Sequence, residues 1–127
     1  MASPYLSTSR GEGPRADFGG AVVAEHRIKG DGAGELLTQG DGTMLVRLEL
    51  REGFDQGGHE HPDHESIGYI LSGRVRMTVG DETSELGPGD TWYHPKGTHH
   101  TCLALEDSEI LEFHAPLRPD VLELFDR

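Results

Sequence analysis

Six of the seven positions from 59 to 65, HEHPDHE, carry a histidine or a carboxylate, and an apolar run at 67–71 (IGYIL) follows almost at once. This cluster constrains the fold more than any other feature. His59, Glu60, His61, Asp63, His64 and Glu65 would repel or desolvate one another in a folded interior unless several shared a cation. The expectation is a metal site. His59 and His61 are two apart, so on an extended strand both leave the same face and can converge on one ion.

The rest of the chain reads as short strands joined by turns, because 18 glycines and seven prolines are spread through 127 residues. Residues 21–28 form a first strand, and 30–42, with five glycines and three acids, a loop or short hairpin arm. In 43–50 the side chains of Met44, Val46, Leu48 and Leu50 share one face, with Leu45, Arg47 and Glu49 on the other, the period of a half-buried strand. Arg47 is expected to face solvent. Further strands fall at 67–71, 74–79, 83–86, 91–94, 103–105 and 109–115, with a tight turn at Gly73, where glycine suits a positive φ. Pro116 ends the last strand. Pro119 then opens a short C-terminal amphipathic helix carrying Val121, Leu122, Leu124 and Phe125. Residues 1–18, rich in Ser, Gly and Pro, read as a flexible or partner-pairing arm, and 19–127 as one domain.

Charge and composition remove several function classes. With 23 acids against 11 Lys and Arg, the formal net charge is -12, which argues against nucleic acid and against an anionic membrane. No apolar run is long enough to span a bilayer. Cys102 is the only cysteine, so no intrachain disulfide can form. No charged-then-apolar leader is visible, and a cytoplasmic location is expected. There is no glycine-rich phosphate loop, nucleophile elbow or cysteine set for structural zinc.

A second stretch, 89–104 (GDTWYHPKGTHHTCLA), adds His99 and His100 at a turn bounded by Pro95 and Gly97. Together the two stretches resemble the paired motifs of the cupin family. Gly53, His59, His61 and Glu65 follow the first motif. Gly89, Pro95, Gly97 and His100 follow the second, with Ala104 where that motif has asparagine. The resemblance covers roughly residues 40–118. It implies an all-β double-stranded β-helix, a jelly-roll barrel, and here a short C-terminal helix. It also implies one divalent transition-metal ion per chain (Fe, Mn, Ni, Cu or Zn) held by His59, His61, Glu65 and His100. Seven residues separate Glu65 from Gly73 where the motif has six, so counting back from Gly73 puts the ligand slot on Ser66. Glu65 is the expected fourth ligand because a carboxylate can span a small register shift, and His64 is the alternative.

Two functions fit this site. One is a metalloenzyme acting on a small molecule, either dioxygenase-like or an isomerase or cyclase, with Glu65 or His64 moving protons. The other is a non-catalytic module that binds a small ligand or a metal. Tyr69, Trp92, Cys102 and Phe113 are expected to line the pocket. His94 and His114 are read as structural histidines, with hydrogen-bonding partner of the ligands or proton shuttle as the alternatives, and His99 as outside the site. The resemblance further implies a homodimer.

Overall fold

A computed structural model describes residues 9, 11–18, 22–23, 26–58 and 63–125, with backbone alone at 22–23 and 26–27. The chain runs β1 (Arg15–Asp17), β2 (Val22–Val23), β3 (His26–Arg27), β4 (Gly32–Gln39), β5 (Met44–Leu50), β6 (Glu65–Ser72), β7 (Val75–Val79), β8 (Glu82–Leu86), β9 (Thr91–His94), β10 (His100–Ala104), β11 (Ser108–Ala115) and α1 (Pro119–Phe125). Two antiparallel sheets carry the fold. Six strands pair in the order β1-β4-β5-β11-β6-β9 and three in the order β10-β7-β8, with β2 and β3 paired to each other. This is the expected jelly-roll architecture. Among the described residues no helix is long and apolar enough to cross a membrane.

Strand alternation decides what faces the interior. Val46, Leu48, Leu50, Ile70 and Ile110 of the larger sheet meet Val75, Met77, Cys102 and Ala104 of the smaller one in a single core. Phe18 and Phe125 join it edge to face, ring centroids 5.7 Å apart, so α1 and the segment after β1 pack together over the barrel. The turn between β6 and β7 has Gly73 at φ 87°, as its position suggests. An added Cβ there would run into the backbone at Asp107 and Ser108.

Three expectations about the barrel wall change. Residues 32–39 are a full strand, β4, the arm of a hairpin with β5 and not a loop. Its glycines lie against large side chains: a Cβ at Gly32 would meet the Phe54 ring and one at Gly34 the Phe18 ring, so glycine here marks close packing. The described part of 1–18 is an edge strand of the chain's own sheet, with Arg15 opposite Glu35 and the Pro14 carbonyl accepting from Leu36 N–H. That strand covers the outer face beside Arg47. Arg47 is therefore buried, not solvent-facing, and its guanidinium donates to Glu35 at 2.8 Å, Glu49 at 2.7 Å and Glu109 at 2.7 Å.

Candidate functional site

The inward positions of four strands bring an unusual number of polar side chains into the barrel. Ser66 from β6, Trp92 and His94 from β9, His100 and Cys102 from β10, and Glu112 and His114 from β11 are all buried. Arg118, just ahead of α1, is buried with them. Of these, Trp92, Cys102, Glu112, His114 and Arg118 line a cavity of about 50 Å³, together with Gln56 and an apolar remainder that includes Met77, Leu48 and Val121.

His100 stands on one side. Its Nδ1 lies 3.2 Å from the Thr98 carbonyl, which can only accept, so Nδ1 carries the proton and Nε2 the lone pair. That is the tautomer a metal-ligating histidine needs. The backbone before the histidine cluster runs beside the same strand: Gln56 N–H donates to the Cys102 carbonyl, and Ala104 N–H to the Phe54 carbonyl. His59 and His61 lie outside the described residues. Among the described residues no three His, Cys, Asp or Glu side chains are grouped to hold an ion.

His94 lies flat against His100 with both ring nitrogens engaged. Its Nδ1 is 3.1 Å from Ser66 Oγ and its Nε2 3.2 Å from Met77 Sδ. A thioether only accepts, so Nε2–H points to sulfur and the Ser66 hydroxyl donates to Nδ1. Burial, then the neighbouring His100, push the His94 pKa down to about 3. His94 is thus a neutral, fixed wall of the site.

Glu112, His114 and Arg118 lie close enough to act electrostatically on His94. Glu112 Oε1 is 3.0 Å from His114 Nε2. Burial alone would push the Glu112 carboxyl up, but the charge and hydrogen bond of His114 outweigh it and hold the group well below the usual carboxylate range. One Arg118 nitrogen donates to Asp120 at 2.7 Å. His64 is half-buried at the start of β6, its ring centroid 6.0 Å from that of His114. Burial, then the Arg118 charge, lower its pKa to about 4. Burial raises the Cys102 thiol to about 12, so this cysteine behaves as a small apolar side chain.

Three of the expected site residues point elsewhere. With Ser66 and Ile70 inward, parity turns Glu65 and Tyr69 to the outer face, where the Tyr93 hydroxyl donates to Glu65 at 2.9 Å. The slot counted back from Gly73 is the one that faces inward, and it holds Ser66. Phe113 faces out for the same reason, between inward Glu112 and His114. Trp92 and Cys102 do line the cavity. Glu112 and Arg118 were not anticipated. The signal for Glu112 is the alternation of 109–115 (EILEFHA), which puts a glutamate and a histidine in step with core-facing Ile110. Arg118 carries no such periodicity.

Several buried polar atoms on the cavity wall have no hydrogen-bond partner among the described residues: Trp92 Nε1, His114 Nδ1, Arg118 Nε and Gln56 Oε1. Each such atom costs roughly 1–3 kcal/mol. Four such atoms on residues of one cavity lining leave hydrogen-bonding capacity there for water or a polar guest.

Comparison with known proteins agrees with this architecture. The sequence profile of the family described as "Cupin domain" matches residues 46–115, and the chain belongs to that family. It is 34% identical over 67 residues to the oxalate decarboxylase OxdC of Bacillus subtilis, a match that covers 49% of this chain and 17% of that protein's length. KdgF from a Halomonas species is 28% identical with a TM-score of 0.69, over 76% of this chain and 94% of that one. An RmlC-like cupin from Shewanella frigidimarina shares the fold over 93% of this chain and 97% of its own, at TM-score 0.78 and 20% identity.

Proposed function

We propose that the chain is a metal-dependent enzyme acting on a small molecule, with His59, His61 and His100 holding one divalent transition-metal ion at the cavity. The observation that carries this reading is the pairing of residues 54–56 with 102–104. It sets the segment leading to the histidine cluster beside the strand of His100, whose ring has the ligating tautomer. The fourth position goes to His64 or to water, since Glu65 is engaged by Tyr93 on the outer face.

When bound, the ion supplies Lewis acidity or oxygen activation. The chain's own residues supply the rest. Met77, Leu48 and Val121 keep the cavity apolar, His94 fixes the His100 ring from behind, and Glu112, His114 and Arg118 offer a carboxylate, a base and a cation. These groups favour catalysis over storage, because an ion held for its own sake needs no such set. They suit isomerase or cyclase chemistry at least as well as dioxygenase-like chemistry. The similarity to an oxalate decarboxylase supports an enzyme without fixing the substrate. The protein is placed in the cytoplasm on its composition, and as a homodimer.

Elemental analysis of untagged protein purified without chelators, wild type beside His100→Ala, tests the reading. About one equivalent of transition metal in the wild type, lost in the variant, is the expected result. Wild-type protein that carries no metal and takes up none on reconstitution overturns it and leaves a cupin that binds a ligand only.

A further inference from the structure

The second cupin motif stretch brings Trp92 and Cys102 to the cavity lining, while Glu112, His114 and Arg118 of the same lining belong to neither motif. Glu112 accepts from His114 Nε2 at 3.0 Å; a carboxylate oxygen accepts, so Nε2 carries the hydrogen, and in the neutral ring Nδ1 has the lone pair. Nδ1 has no partner among the described residues. The same holds for Trp92 Nε1 and Arg118 Nε, both of which can only donate. All three side chains line the one cavity and are buried, with exposures of 2% for His114, 7% for Trp92 and 5% for Arg118.

A lone pair and two N–H donors around an apolar space match one chemical problem well: removing a proton from carbon beside a carbonyl group while charge collects on the oxygen. We propose that His114 Nδ1, oriented by Glu112, is the base of an enolisation, with Trp92 Nε1–H and Arg118 Nε–H holding the carbonyl oxygen. In this step the C–H bond breaks and its proton passes to Nδ1. Its electron pair forms the C=C bond, and the carbonyl π pair moves onto oxygen, facing the two donors. The imidazolium then stands against the Glu112 carboxylate. Transfer of the hydroxyl proton from its oxygen to the former carbonyl oxygen, and return of the carbon-derived proton from Nδ1 to the neighbouring carbon, complete an isomerisation with no oxidant or reductant.

The fixed charges narrow the substrate class. Glu112 and Arg118, the charged side chains of the lining, balance each other, so the wall holds no excess positive charge for a free dicarboxylate. A small uncharged hydroxycarbonyl compound fits both the charge and the cavity. The proposal rests on reading this cavity as a reaction chamber. It does not require that His59, His61 and His100 hold the ion as described above.

The test uses protein as purified, with hydroxyacetone and dihydroxyacetone as probes, following exchange of their carbon-bound hydrogens in D2O by NMR. Nitrogen-15 spectra of the histidines report the tautomer in parallel, and metal content is measured on every sample. Expected is exchange above the buffer rate, reduced on the order of 10²-fold or more in His114→Gln. Glu112→Gln slows exchange and shifts the His114 proton between its nitrogens, and Glu112→Asp recovers part of both. Trp92→Phe keeps the packing and the tautomer but slows exchange. It carries the test if His114→Gln does not fold. Metal content unchanged in these variants separates this result from the fate of the metal site. Equal exchange in wild type and His114→Gln overturns the proposal, as does a proton on Nδ1 in the wild type. Absence of exchange with both probes in a protein with the stated tautomer also overturns it, and leaves atoms that hold trapped water only.

Discussion

The imidazole of His94 is stacked on that of His100, with ring centroids 3.7 Å apart and planes inclined by 13°. Two such rings in a buried site cannot both be charged at acceptable cost, and the His94 pKa of about 3 expresses this. An unfolded histidine titrates near 6.5, so between pH 6.5 and 3 the unfolded chain binds the proton that the folded one refuses. Stability of the metal-free protein is therefore full above pH 6.5 and declines as pH falls. The His94 contribution is a loss of about 2 kcal/mol by pH 5. Urea unfolding at pH 7.5 and 5 measures it, and His94→Phe should flatten the difference. An unchanged pH dependence in that variant would assign the loss to other groups.

Arg47 offers a prediction independent of the site. Burial alone would push the Glu35 carboxyl up, but the hydrogen bonds from Arg47 and Gly13 N–H hold it below its ordinary value, and Glu35 is 0% exposed. Removing the cation leaves a buried carboxylate without its partner. Arg47→Met should cost roughly 3–5 kcal/mol in chemical denaturation, and adding Glu35→Leu should restore most of it. A single variant as stable as wild type would mean that the outer face admits water.

How much of this was legible in the sequence follows from which signals are local. The alternation of 43–50 is a local pattern and gave the strand faces correctly. Parity on β6 hangs on one residue, because a shift of one flips every side chain. The motif spacing was one residue too long, so Glu65 and Tyr69 were assigned to the wrong face while Ser66 faced in. Arg47 looked exposed because nothing local says that 11–17 will cover it. Arg118 is placed by the path of the chain between β11 and α1, which no periodicity encodes.

Gly68 lies opposite Trp92 in the β6–β9 pairing, and a Cβ on it would fall onto the indole ring. Gly68→Ala must therefore move Trp92, which lines the cavity. Because the chain has one tryptophan, its fluorescence reports the change directly. Expected are a red-shifted emission and a stability loss of about 1–3 kcal/mol. Unchanged emission and stability would show that β6 and β9 separate freely at this point.

The outer face of the larger sheet carries Ile67, Tyr69, Leu71, Tyr93 and Phe113, with exposures up to 52% at Ile67. Register makes them neighbours: Ile67 is opposite Phe113 on β11 and opposite Tyr93 on β9. A contiguous apolar patch of this kind is a pairing surface before it is anything else, and β9 beside it is an edge strand of the sheet. Against pairing stands the net charge of -12 on each copy, a repulsion that salt screens. The balance predicts a homodimer at micromolar concentration, tighter at about physiological ionic strength than at low salt. Ile67→Lys, at the centre of the patch, should convert it to monomer without loss of fold. Size-exclusion chromatography with light scattering reads all three outcomes. A wild-type monomer at both salt concentrations would sink the dimer.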